Sequence, residues 1–520
     1  MKIKKERIAL IVILIIQIIV YVFLGCKKTY IHMDEAYSIG LTNYDKIEIS
    51  QNEDFYNTWH TKEYYEDYIS VNEDEQFDFK PVYENQKNDV HPPFYYLLLR
   101  LAYNLNIDKF SKWPGIILNI IILVLSNILV YKILEKITKN TKLSLAICFV
   151  NGLVLASLES VMYIRMYALN ALLLLAIAYI HLINFRKDKI DVKNYIAMGT
   201  LALVSSLTHY YNVLYIFVIA ILYCINYIRK KQYKNILKYI ATMGIAAIMS
   251  LIIFPYSIQH IFMGYRGQGA LDSLSQASKM LESFARYVYI ADINIFNGTL
   301  WIMLIALSIL IIFKLIKNRK ITLRLENTEL LLITMPAIIY FIVVALVSPY
   351  MEIRYIIPVC PFIFIFVIYE LCRIINKVFV KESVEIIFTI ILAFILLMPI
   401  FTKANINNLY LQHEEIVKQF DEQYHSIPTI YLFNTNQNRF LDDIYLFARI
   451  DESYILDIKD ANKEKIEEIL QNKNVENGII VWVNEGFERD EYLKLIMEYH
   501  NYKECQHLKR MNACDIYYIH

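Results

Sequence analysis

The 520 residues are 57% hydrophobic and only 20% charged, with 52 Lys and Arg against 51 Asp and Glu. Soluble domains run nearer half apolar with about a quarter charged, so water is not the main solvent of this chain. A net charge of +1 gives no reason to expect nucleic acid or a bulk acidic ligand as partner. The seven cysteines form no Cys-x-x-Cys pair and no zinc-finger spacing, so neither a cysteine metal centre nor a disulfide scaffold is indicated; only Cys505 and Cys514 are close enough to suggest a bridge.

The first apolar run, Ile8 to Gly25, reaches the lower limit for crossing about 30 Å of hydrocarbon at about 1.5 Å per residue. It follows Lys2, Lys4, Lys5 and Arg7, and no small-residue cleavage site comes after it, so it reads as a retained span with a cytosolic N-terminus. A lipobox is the competing reading of Gly25-Cys26. Further apolar runs lie near 113–131, 143–161, 166–185, 195–209, 212–228, 237–255, 298–313, 329–348, 355–371 and 385–401, which predicts about eleven transmembrane helices. Basic clusters fall at every second connection: Lys132/Lys136/Lys139/Lys142, Arg186/Lys187/Lys189, Arg229/Lys230/Lys231, Lys314/Lys317/Arg319/Lys320 and Arg373/Lys377/Lys381. One orientation satisfies the positive-inside rule for all of them, and it puts the C-terminal tail outside a multi-pass cell-membrane protein.

Two outer loops are long under this topology. Residues 26–93 are aromatic and acidic and end in His91-Pro92-Pro93-Phe94, a proline pair that starts an amphipathic stretch suited to the interface. Residues 256–297 form the second, and both carry too many aromatics for simple disorder. After about residue 403, strand-like runs (Thr429–Phe433, Tyr454–Ile458, Gly478–Val483, Asp515–Ile519) alternate with helix-like ones. The predicted fold class is a polytopic all-α membrane domain over 1–402 with a small extracytoplasmic α/β domain over 403–520. No Gly-rich loop follows the first strand, so no nucleotide cofactor is expected.

The chemistry-bearing residues gather at predicted outer ends of spans. His32-Met33-Asp34-Glu35 follows the first span, and adjacent acids at a membrane boundary are expensive unless they face a wet cavity or a partner; the bland alternative is a helix cap. Asp89-Val90-His91-Pro92-Pro93, Arg165-Met166-Tyr167, Thr208-His209-Tyr210-Tyr211 and Arg354-Tyr355 follow in order. For Arg165 the alternative is a snorkelling side chain or an ion pair with Glu159, for Arg354 a pair with Glu352, and for Tyr210 an interface anchor.

These five motifs, over roughly residues 1–400, resemble those of the GT-C superfamily of glycosyltransferases, in particular the bacterial protein-mannosyltransferase-like and lipid A aminoarabinose transferase-like members. The resemblance implies inverting transfer of a sugar from a polyprenyl-phosphate donor to a protein, cell-wall glycan or glycolipid at the outer membrane face. It puts Asp34 in the role of the base, and Glu35 as a residue that orients the acceptor or shares a divalent ion. Two carboxylates are too few to establish such an ion, so metal dependence stays open. It further implies that His91, Arg165, Tyr167, His209, Tyr210 and Arg354 contact the donor phosphate or line the cavity, Arg offering a planar, permanently charged fork. Relatives commonly carry an acid two residues before the Arg of the third motif, where this chain has Tyr163. That departure leaves room for a catalytically inactive assembly subunit. A transporter or flippase of lipid-linked sugars is the rival from another class, against which stand the few glycines and the near absence of charge within the spans.

Overall fold

The computed structural model describes residues 2–45, 48–264, 267–269, 277–316, 327–348, 350–379, 390–391, 393–398, 406–433, 440–484, 489–500, 502–511 and 514–520. The chain divides into two compact units, one of residues 1–25, 89–95 and 116–406, the other of residues 26–88, 96–115 and 407–520.

The first unit is helical. Among the described residues seven helices are long and apolar enough to cross a membrane, namely Lys5–Lys27, Trp113–Thr138, Tyr167–Asn184, Asn212–Arg229, Tyr233–Ile253, Thr328–Val347 and Ile357–Ile375. The number rises to nine if each of two bent pairs is one span, Thr141–Asn151 with Leu155–Met162 (53°) and Lys279–Phe296 with Leu300–Ile309 (85°). The expectation of about eleven exceeds the number found among the described residues for identifiable reasons. The run near 195–209 folds as Val192–Ser206, whose 15 residues rise only about 22 Å. Most of the run near 385–401, the cations Lys317, Arg319, Lys320 and Lys381, and the junction at 402–403 lie outside the described residues. The second predicted loop, 256–297, contains the helix Ala277–Phe296, which sends Tyr287, Ile290, Ile295 and Phe296 into the core; its residues 265–266 and 270–276 lie outside the described set.

The 53° bend leaves the Cys148 carbonyl with only a 3.2 Å bond from Gly152 N, and those of Phe149 and Gly152 with no backbone donor among the described residues, inside an apolar bundle where each unpaired group costs several kcal/mol. Polar side chains from distant helices answer them. Gln17, fully buried in the first helix, donates Nε2 to the carbonyls of Cys148 (3.0 Å) and Phe149 (3.2 Å). Tyr21 donates its hydroxyl to the Gly152 carbonyl at 2.7 Å. Asn127 Nδ2 reaches Gln17 Oε1 at 3.1 Å, and Asn151 Nδ2 reaches Asn127 Oδ1 at 3.1 Å. Residue 152 must be glycine for this to close, because a Cβ there would stand 2.2 Å from Gln17 Nε2. Gln17→Leu should therefore lower stability by about 1–3 kcal/mol, the cost of stranding buried carbonyls, measured as a shift in the thermal unfolding midpoint of the purified protein. A midpoint within error of the wild type would show that the bend does not depend on this side chain.

The second unit carries one six-stranded sheet of order β1-β3-β2-β4-β6-β5. The strands are β1 Trp59–Thr61, β2 Thr429–Phe433, β3 Glu452–Asp457, β4 Ile479–Asn484, β5 Cys505–Met511 and β6 Cys514–Ile519. The central strands β2 and β4 are wholly buried, as parallel strands covered on both faces are, and β2 pairs parallel with both β3 and β4. The first loop supplies the edge strand β1, with Trp59 opposite Tyr454 and Thr61 opposite Glu452. Tyr65 of that loop meets Ser453 Oγ at 2.6 Å. Residues 26–88 of the loop thus fold with residues 96–115 and 407–520 in one unit. No bridge joins Cys505 and Cys514, both of which are free thiols. In the β5–β6 hairpin Cys514 faces Met511 beside the turn, whereas Cys505 faces Ile519 at the open end, so the register holds the two apart.

Candidate active site

In the second unit, Asp34 and Glu35 lie in the first turn of the helix Met33–Asn43, and the two carboxylates are used differently. His32 is the N-cap, its Nδ1 accepting from Asp34 N at 3.1 Å, while Glu35 Oε2 accepts from His32 N at 3.0 Å. This is a capping box with histidine in the place of serine. The same Glu35 oxygen takes Lys28 Nζ at 3.0 Å, and both side chains are 0% exposed. Lys28 also donates to the Asn408 carbonyl at 2.7 Å and stands 4.7 Å from the Tyr410 ring centre. Glu35 is thus buried against Lys28 and completes the cap of the helix start. Asp34 keeps 17% of its side chain exposed, with Oδ2 3.9 Å from His32 Nδ1, at the helix end where the backbone dipole favours an anion. Among the described residues no group of three or more His, Cys, Asp or Glu could hold a metal.

In the first unit, residues from the four later motifs meet. Between the helices Leu155–Met162 and Tyr167–Asn184 the chain unwinds, and Asn119 Nδ2 holds the gap by donating to the Tyr163 carbonyl at 2.8 Å. The gap turns so tightly that Arg165 N bonds the Tyr163 carbonyl at 2.7 Å. Arg165 is buried there. Arg354 donates Nη1 to the Tyr163 hydroxyl at 3.2 Å and lies 5.4 Å from the Tyr355 ring centre. Tyr163 stacks on Tyr167, with planes 3° apart and centroids 6.0 Å apart, and Tyr167 is 6.0 Å from His209. His209 is 5.8 Å from His91, whose Nδ1 is 3.0 Å from Asp89 Oδ2. Tyr210 turns to another partner, its hydroxyl 2.8 Å from His260 Nδ1.

The charges in this cluster condition one another. Burial alone would raise the Asp89 carboxyl, but the hydrogen bond and charge of His91, the charge of Arg165 and the Val90 N–H outweigh it, and the carboxyl titrates below its ordinary value. Burial, then the nearby cations His91 and Arg165, push His209 well below the ordinary imidazole value. Burial raises the Tyr210 phenol.

No protein-family model matches the chain, and no curated protein matches it. Among solved structures it is similar over 98% of its length to ArnT from Cupriavidus metallidurans bound to undecaprenyl phosphate, at 10% identity, 97% coverage of that chain and a TM-score of 0.48. The apo state of the same protein gives the same values. An oligosaccharyltransferase from Archaeoglobus fulgidus, tethered with an acceptor peptide containing the NVT sequon, is similar at 9% identity, covering 98% of this chain and 74% of that one with a TM-score of 0.42.

Asp89 is the residue that sequence reasoning left without a role, although a carboxylate two residues before a histidine is a visible signal. Tyr355, next to the predicted Arg354, likewise borders the cluster, 6.5 Å from Tyr167. Where relatives of the motif have an acid, Tyr163 instead presents a phenol oxygen to Arg354. Guanidiniums and imidazoles near the Asp89 carboxylate are groups chemically able to stabilise a phosphate's negative charge.

Proposed function

We propose that the chain is a membrane glycosyltransferase that moves a sugar from a polyprenyl-phosphate donor to an acceptor hydroxyl on a protein, a cell-wall glycan or a glycolipid. Asp34 takes the acceptor's proton as general base. Arg165 and Arg354, with His91, bind the departing phosphate, and Asp89 holds His91 and Arg165 in place. Tyr167 and His209 line the donor's surroundings, while Tyr210 acts through His260. A single in-line displacement inverts the anomeric carbon. The reaction lies on the outer face, with the N-terminus in the cytosol and residues 403–520 outside, as the placement of Lys and Arg supports. The observation that carries this reading is the run of contacts from Arg354 through Tyr163, Tyr167 and His209 to His91 and Asp89. It joins residues of motifs that are far apart in sequence into one partly buried cluster.

Transport of a lipid-linked sugar is the second reading, and the two bent helix pairs favour it, since broken helices build many transport sites. Against it, the carbonyls of the 53° bend are closed by Gln17 and Tyr21, and the cavity beside Asn151 and Ser157 measures only about 20 Å³, room for a single water. Mass spectrometry of lipid-linked sugars and surface glycans, with and without the protein, tests the two. The transferase reading expects one glycan lost and one polyprenyl-phosphate sugar accumulated on the outer leaflet; accumulation on the inner leaflet alone would favour transport. Arg165→Gln should reproduce the loss, turnover falling by about 10²–10³ as when one donor to a developing anion is removed. A full glycan complement in that variant would remove Arg165 from the mechanism.

A further inference from the structure

The first unit has a cavity of about 390 Å³ that the proposed reaction does not use, lined among others by Lys132, Lys136, Lys139, Tyr179, Arg186 and Glu329. It lies at the far end of the helices that carry the Arg165 cluster. Tyr167–Asn184 begins at that cluster and ends beside the cavity, and 18 residues rise about 27 Å, close to the thickness of a bilayer's hydrocarbon. Trp113–Thr138 brings its last two turns here, and Thr328–Val347 its first.

Cations at helix C-termini are ordinary, because they oppose the backbone dipole and set topology. Four further features go beyond that. Lys132 and Lys136 are four apart and share one helix face, and with Lys139, just past the helix end, they border the same hollow. Lys139 sits in the left-handed backbone region at φ 54°, where glycine or asparagine is the easy choice. Glu329 is buried and takes Arg186 Nε at 2.7 Å, which holds the guanidinium at the rim while its Nη groups hydrogen-bond to none of the described residues. Lys132 is 5.6 Å from the Tyr179 ring centre, whereas Lys136 and Lys139 have no anionic partner among the described residues. The hollow is within the size range of small-ligand sites and far beyond the room one water needs.

We propose that this cavity binds the phosphate headgroup of an anionic phospholipid at the membrane boundary opposite the Arg165 cluster. Four cations against the carboxylates of Glu135 and Glu329 leave the rim positive, and the forked Nη donors of Arg186 match phosphate oxygens. The source is a lipid because the cavity opens where apolar spanning helices end, with Ile121 and Leu125 of the same helix exposed along the way. Basic pockets between such helices take headgroups for this reason.

The test uses the full chain, purified and delipidated, mixed with micelles containing phosphatidylglycerol or phosphatidylcholine and observed by native mass spectrometry. Phosphatidylglycerol should be retained and phosphatidylcholine should not. Lys136→Gln/Lys139→Gln should weaken retention by about 30-fold, given the contribution of each cation near an anionic membrane surface. Both side chains are exposed, so the double variant should unfold at the wild-type temperature. Lys187→Gln/Lys189→Gln removes two nearby cations that do not line the cavity and should leave retention unchanged. Equal retention of both lipids, or equal losses in the two double variants, would overturn the site in favour of diffuse charge. Displacement of the lipid by millimolar inorganic phosphate would overturn the lipid assignment in favour of a soluble anion.

Discussion

Asp34→Asn is expected to lower turnover by about 10²–10⁴, the usual contribution of a positioned base, while lowering stability by no more than about 1 kcal/mol, the usual worth of an anion at a helix N-terminus. The second half follows from the geometry of the helix start. The capping bonds are made by the His32 ring, the His32 N–H and the Glu35 carboxylate. Asparagine keeps the shape of the Asp34 side chain and removes its basicity and its negative charge. The measurement is transfer by the purified protein in vesicles loaded with a polyprenyl-phosphate sugar, with the unfolding midpoint determined in parallel. Asp34→Glu should keep a measurable fraction of the rate, because the base survives but moves by about 1.5 Å, roughly one C–C bond. Full activity in Asp34→Asn would place the base elsewhere.

Much of the first unit is legible from hydropathy because a bilayer requires each spanning helix to be apolar over about 20 residues and to satisfy its own backbone. The bends are not legible in the same way. The partners that close the break at Asn151-Gly152 are Gln17, Tyr21 and Asn127, and Gln17 stands 131 residues from its acceptor Cys148; a lone glutamine in an apolar run does not announce which carbonyl it serves. The α/β unit shows the same contrast. β2 and β4 are continuous apolar runs and read directly as buried strands. β5, Cys505–Met511, is mostly polar because it is a sheet edge that charges protect from further pairing. β1 has three residues and exists only through Tyr454, Ser453 and Glu452. At the candidate site, the side chains carrying positive charge are found by type and motif, whereas Asp34 and Glu35 look alike until Lys28 is placed beside one of them.

That difference between two adjacent acids gives the largest expected stability effect. Glu35→Gln should destabilise the second unit by about 3–5 kcal/mol, since it leaves the Lys28 ammonium buried with its counter-charge removed. The Asn408 carbonyl and the Tyr410 ring remain near that ammonium, but a neutral acceptor and a ring face do not replace a carboxylate. Lys28→Met/Glu35→Met removes both charges and should recover most of the loss. A residual deficit of about 1 kcal/mol is expected, because the His32 N–H loses the acceptor that completes the cap. Unfolding midpoints of the single and double variants measure the coupling directly. A catalytic Glu35 would give the opposite pattern, with Glu35→Gln stable but inactive and the double variant no more active than the single one. The anchoring role instead predicts that whatever transfer the folded double variant retains is limited by how well Met33–Asn43 still presents Asp34.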